Sequence, residues 1–158
     1  MKCFEDIIEP FIIRKTDEST PDDFGREIIE HQGRMNREFP GLIAGSRMRL
    51  WKPGDPVLSQ GSRFLIGVEL TSRSDLRLLD ALDIAMRATR RNDRVDVFDC
   101  FNLEENGTVD FERYIPGIGD VLGTPVVGVW EDGLLVSREQ GWRARKLVID
   151  AFDLALPA

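Results

Sequence analysis

The stretch Gly123-Thr124-Pro125-Val126-Val127-Gly128-Val129-Trp130-Glu131-Asp132-Gly133-Leu134-Leu135-Val136-Ser137-Arg138-Glu139-Gln140-Gly141 decides how this chain is read. Val126, Val127, Val129 and Trp130 are β-branched or aromatic, which suits a buried strand. Glu131-Asp132-Gly133 predicts a tight hairpin turn, because Asp-Gly supplies the positive φ such a turn needs. Leu134-Leu135-Val136 returns as a second strand, and Gly141 ends it. From Trp142 to Leu156 the apolar residues Leu147, Val148, Ala151, Phe152 and Ala155 fall at helical spacing. Thr124-Pro125 opens the unit where a backbone donor can be spared.

Working back from this hairpin, Phe64-Leu65-Ile66-Gly67-Val68 predicts a buried strand. Thr71-Ser72-Arg73-Ser74-Asp75 then caps a helix from Leu76 to about Arg90, with Leu79, Leu82, Ala85 and Met86 inward. Either Ser72 with Asp75 as a capping box, or Ser74 as N-cap, satisfies the free amides. Val95 to Phe101 predicts the next strand. Residues 102–110 are loop, with Asn106-Gly107 a turn, and Phe111 to Leu122 holds a short helix.

The order strand, helix, strand, irregular stretch, strand, strand, helix, entered at its last hairpin through Thr124-Pro125, resembles the thioredoxin-like fold over residues 62–158. The resemblance implies an α/β class with a mixed central sheet flanked by helices. It also implies a cis Thr124-Pro125 bond beside a groove that takes extended peptides. Thioredoxin-type oxidoreductases carry Cys-x-x-Cys where the first of these helices begins, because amides and helix dipole there lower a thiol pKa. Here that place reads Thr71-Ser72-Arg73-Ser74-Asp75, and the chain's two cysteines, Cys3 and Cys100, lie elsewhere. The dithiol mechanism is therefore absent.

Residues 1–61 read as an N-terminal extension with a helix and a short strand. Phe4, Ile7 and Ile8 suggest a short helix ending near Glu9, with Phe11-Ile12-Ile13 extended after Pro10. Thr20-Pro21-Asp22-Asp23 predicts a helix start, with Thr20 as N-cap and Pro21 at N1. That helix carries Phe24, Ile28, His31 and Met35 on one stripe and is expected to stop by Pro40-Gly41. Arg47-Met48-Arg49-Leu50-Trp51 alternates as a half-exposed strand does.

Composition narrows the function. The chain has 158 residues, 42% hydrophobic and 31% charged, which fits one globular domain with an appendage. A formal net charge of −7 argues against general nucleic-acid binding. No run approaches the roughly 18 apolar residues of a membrane helix, and the acidic start Met1-Lys2-Cys3-Phe4-Glu5-Asp6 does not look like a signal peptide. A cytoplasmic location is expected, with no disulfide framework, no cofactor and no nucleic-acid or membrane partner.

Other chemical candidates are weak. His31 is the only histidine, and no second His or Cys lies at metal-ligand spacing, so zinc ligation has no support; a Ser72-His31-Asp triad is discounted because no Gly-x-Ser-x-Gly elbow accompanies it. Cys100 reads as a buried small hydrophobe. Gly117-Ile118-Gly119-Asp120-Val121-Leu122-Gly123 has the wrong spacing and context for a dinucleotide fingerprint and reads as loop. Asp93, Asp96, Asp99, Glu104, Glu105, Asp110 and Glu112 read as a solvated acidic face. Arg87, Arg90, Arg91 and Arg94 complement the end of a helix.

The leading expectation is a non-catalytic protein that binds another protein as scaffold, assembly factor or subunit of a complex. Its binding residues would be Thr124, Pro125, Ser72, Arg73, Ser74 and Trp51. Trp51 or Trp142, if exposed, would anchor a partner, and core packing suits Trp142 better. One alternative is a thiol-dependent redox or glutathione-binding enzyme using Cys100 or Cys3. Another is an architectural component of a particle or homo-oligomer.

Overall fold

Ser62–Val68 forms strand β2 at the centre of a five-stranded sheet, where six of its seven residues are buried. The computed structural model describes residues 3–8, 21–56, 58–89, 91–100 and 110–156. Along these run a 3-10 turn (Phe4–Ile7), α1 (Pro21–Ala44), β1 (Arg49–Leu50), β2, α2 (Arg73–Ala88), β3 (Arg94–Asp99), α3 (Phe111–Tyr114), β4 (Val126–Glu131), β5 (Leu134–Gln140) and α4 (Trp142–Phe152). The expected extended Phe11-Ile12-Ile13, the Thr20 cap and the Asn106-Gly107 turn lie outside the described residues, as do the side chains of Phe24 and Ile28.

The sheet order is β1-β3-β2-β4-β5. β3 runs parallel to both β1 and β2, as the crossover through α2 requires, whereas β2, β4 and β5 alternate in direction. The β4–β5 turn has Asp132 at φ 49° and Gly133 at φ 84°, the primed geometry that Asp-Gly predicts.

Alternation along the strands builds two cores. Phe64, Ile66 and Val68 of β2, with Val95, Val97, Val127 and Val129, pack under α1, α2 and α4 through Met35, Phe39, Ile43, Leu76, Leu79, Leu82, Val148 and Phe152. Leu65, Phe98, Val126 and Trp130 face the other way and are covered by Trp51, Ile115, Phe111 and Tyr114. Gly67 and Gly128 sit in this second layer because ring atoms press on the backbone. An added Cβ would lie 2.4 Å from Phe98 Cζ at Gly67 and 2.7 Å from the Trp130 ring at Gly128.

Several expectations are corrected. The boundary at residue 61 does not divide two cores. β1 pairs with β3 through Arg49↔Asp96 and Leu50↔Val97, and Phe4, Ile7, Met35 and Phe39 join the same apolar cluster as β2. The Asp80 carboxylate of α2 accepts from the Phe4 and Glu5 amides at 2.7 and 3.0 Å, fixing the N-terminal turn. α1 continues through Pro40-Gly41 to Ala44. Pro40 removes one helical donor, but its side chain is exposed while Phe39 and Ile43, one turn apart, are buried. α4 ends at Phe152 rather than Leu156, where Asp153 takes the left-handed conformation at φ 52°.

Asp96 is not on a solvated face. It is buried between Arg63 Nε and Arg94 Nε, each 3.1 Å away, and Arg63 also lies over Trp130. The arginines at the end of α2 are engaged, Arg87 with Asp83 and Arg91 with Asp93.

Candidate functional site

The candidate site grows from the N-terminus of α2, where β2 gives way to Glu69-Leu70-Thr71-Ser72. The Ser72 amide donates to the Glu69 carbonyl at 2.9 Å, a turn that places Ser72 as N-cap. Its Oγ accepts from the Asp75 amide at 3.2 Å. The Asp75 carboxylate reaches back to the Glu69 amide at 3.0 Å rather than to Ser72's own amide, so half of the predicted capping box forms. Ser74 is exposed, and its carbonyl accepts from Arg145 Nη1 of α4 at 3.2 Å.

Asp75 is 2% exposed. The side chains of Thr124 and Ser72 lie close to its carboxylate, which ties the start of α2 to the loop before β4. Burial pushes its pKa above the usual carboxylate range, against the Glu69 amide and these two side chains, which pull it down. The Thr124-Pro125 peptide bond is cis. The Gly141 amide donates to the Pro125 carbonyl at 2.8 Å, joining this loop to the start of α4.

Ser72 and Asp75 thus stand three residues apart at the first turn of the helix after the central strand, at the spacing of a Cys-x-x-Cys pair. The strand order, the parallel crossover and the proline before β4 complete the pattern expected from the sequence. The fold is thioredoxin-like.

No protein-family model matches the chain, and no curated protein does. Among solved structures, the human ERp44 zinc-bound form aligns at TM-score 0.45 and 10% identity, over 67% of this chain and 30% of its own. ERdj5 form II aligns at TM-score 0.44 and 11% identity, over 85% of this chain and 16% of its own. The chain therefore spans less than a third of the length of either.

The two cysteines stay outside the helix start. Cys100 follows β3 and donates its amide to Val68 O at 2.9 Å, with 4% of its surface exposed. Burial pushes its thiol pKa strongly up, and the charges of Asp99, Asp75 and Glu69 add to that. Cys3 is exposed and opens onto a cleft of about 430 Å³ between the N-terminal turn, the end of α1 and α2. Its pKa is also raised, by desolvation first and then by a hydrogen bond with Asp6. Neither microenvironment favours a thiolate.

The expected binding residues divide. Thr124, Pro125, Ser72, Arg73 and Ser74 are brought together by the approach of Thr124 to Asp75 and by chain adjacency. Arg73 is half-buried, with Glu5 3.9 Å away. Trp51 does not join them. It is 6% exposed, packed against Phe98 and Tyr114 with ring centroids 5.5 and 4.7 Å apart, on the other side of the sheet from α2.

Trp142 reverses its expectation in turn: it is 71% exposed, as is Leu122 at 93%. The buried stripe of α4 runs Ala144, Val148, Phe152, and a residue two positions before Ala144 lies about 200° around the helix from it. That phase was readable in the sequence. Leu122 and Trp142 are each one residue from Gly123 and Gly141, whose backbones meet: a Cβ on Gly123 would be 3.8 Å from Gly141 Cα. The two exposed apolar side chains therefore flank one junction beside Thr124.

The glycine-rich stretch is loop, as read. Its Gly117 and Gly119 amides, at φ 81° and 73°, donate to the Glu112 carboxylate at 2.6 and 3.1 Å. Those amides hold Glu112's pKa down and serve the loop itself. Among the described residues, no group of three or more His, Cys, Asp or Glu side chains is placed to hold a metal ion, and no helix is long and apolar enough to cross a membrane.

Proposed function

We propose that this is a non-catalytic thioredoxin-like protein that binds another protein at the surface formed by Ser72–Ser74, Thr124 and the start of α4. The observation that carries the reading is the pairing of an occupied helix start with an exposed apolar junction. At the helix start where a dithiol would stand, Asp75 is buried, its carboxylate accepting from the Glu69 amide with the Ser72 and Thr124 side chains close by. Directly beside it, Leu122 and Trp142 are left to solvent, and exposed tryptophan is a residue type that anchors partners. The raised pKa values of both thiols support the same reading over thiol chemistry. We place the protein in the cytoplasm on the strength of its two cysteines, Cys3 and Cys100, both free.

The test is affinity capture from native extract with wild type, Trp142→Ala and a Cys3→Ser, Cys100→Ser double variant, each with and without reductant. The expected result is one stoichiometric partner retained by wild type and the double variant regardless of reductant, and lost with Trp142→Ala. Capture that needs the cysteines and disappears in reductant would move the function to thiol chemistry.

A further inference from the structure

The apolar junction at Leu122 and Trp142 runs into a helix turn whose charges are all positive. Arg143 and Arg145 lie in the first turn of α4, which contains no acidic residue. The Arg143 guanidinium sits 5.4 Å from the centroid of the Trp142 ring, so cation and apolar surface form one patch. Arg145 is held across to α2 by its bond to the Ser74 carbonyl at 3.2 Å, which fixes its charge at the seam between the two helices. Arg73 stands on the other side of that seam, 3.9 Å from Glu5. The acids of this surface are Glu5, which faces Arg73 and Arg77, Glu69, whose carboxylate accepts from Thr71 Oγ1 at 2.8 Å, and Asp120 on the loop before Leu122. Asp75 is buried and already hydrogen-bonded.

This sign is opposite to that of the whole chain, whose formal net charge is −7. At physiological ionic strength charges further than about 8 Å from a docked group are largely screened. The arginines around Trp142, rather than the distant acids, then decide which charges are accepted there.

We infer that the segment bound at this surface is an extended acidic-apolar peptide, which sets an apolar side chain against Trp142 and Leu122 and carboxylates against Arg143 and Arg145. This rests on the protein-binding reading above and names the chemistry of its partner. An arginine pair presented in this way suits carboxylates, which accept a planar guanidinium through two oxygens. A basic segment would meet like charge at the same place.

The test is selection of random 12-residue peptides displayed on phage against the full-length protein, counter-selected on Trp142→Ala. An Arg143→Glu, Arg145→Glu variant is selected in parallel. Trp142 and Arg143 are exposed and Arg145 is half-buried, and circular dichroism with thermal melting verifies that the variants fold. The expected outcome is enrichment of peptides with Asp or Glu flanking a Leu, Phe or Trp. Their synthetic versions should bind the double-charge variant at least about tenfold more weakly, with affinity falling as salt rises.

Enrichment of apolar peptides without acid bias, equally tolerated by the charge-reversed variant, would overturn the acidic-partner inference and leave the binding surface standing. Failure to enrich any peptide sensitive to Trp142→Ala would overturn the inference too, and affinity capture then judges the binding surface separately. A wild-type dimer in sedimentation velocity that Trp142→Ala dissociates would show the occupant to be a second copy and also overturn it.

Discussion

The Thr124 side chain lies close enough to the buried Asp75 carboxylate to favour its charge, so the loop before β4 is latched to the first turn of α2. Two segments 49 positions apart in the chain are thereby held as one surface, and the latch uses the helix position at which thiol chemistry would need a cysteine. Burial opposes the charge on Asp75, while the Glu69 amide and the Thr124 and Ser72 side chains favour it.

This opposition has a pH signature. The folded-state pKa of Asp75 is raised above its ordinary value, so its contribution to stability is fully present below the unfolded pKa and is lost as pH rises through the folded one. Asp75→Asn removes that titration. Urea unfolding of both proteins from pH 7 down to pH 4 should show wild type gaining stability relative to Asp75→Asn as pH falls. Asp80, whose pKa is raised as well, titrates in both proteins and cancels in the comparison. A constant difference across the range would contradict the assignment.

The two reversed tryptophans give a direct contrast in stability. Trp51 is buried against Phe98 and Tyr114, so Trp51→Ala should cost about 3–5 kcal/mol. Trp142→Ala should stay within about 0.5 kcal/mol of wild type. Chemical denaturation measures both. Trp142 should also account for most of the iodide-quenchable tryptophan fluorescence, because Trp130 and Trp51 are each 6% exposed.

Gly67 and Gly128 are expected to be intolerant for a packing reason rather than a conformational one. An alanine methyl at Gly67 would meet Phe98 and Val126 at 2.4 and 2.6 Å. Gly67→Ala and Gly128→Ala should each cost about 1–3 kcal/mol. The urea midpoint should fall without a change in slope if the native state keeps its compactness.

Thiol labelling separates the cysteines. A disulfide reagent at neutral pH should modify Cys3 in the native protein and reach Cys100 only after denaturant is added, given their exposed and buried positions. Because the Cys3 pKa is raised, its labelling should still be accelerating with pH where an ordinary thiol has already ionised. Rapid modification of native Cys100 would overturn the buried-thiol assignment and reopen the enzyme reading.

The local rules of the chain were sufficient for the hairpin, the Ser72 N-cap and the central strands, and the resemblance implied the cis Thr124-Pro125 bond. Each depends on residues within a few positions of one another: Asp132-Gly133 for the turn, Ser72 and the Asp75 amide for the cap, and β-branched runs for the strands. The missing dithiol was equally visible, because it is a matter of residue identity. What only tertiary structure decided were properties set by partners distant in sequence. Pro40 is carried inside α1 because Phe39 and Ile43 are buried, at a gain that outweighs one missing helical bond. Residues 1–61 share the main sheet because β1 finds its partner in β3, more than 40 positions on. Asp96, polar by type, is buried because Arg63 and Arg94 come to it from neighbouring places on the sheet. Trp51 and Trp142 exchanged their expected places for the same reason: burial is a property of which surface lies opposite, and a side chain alone does not determine that.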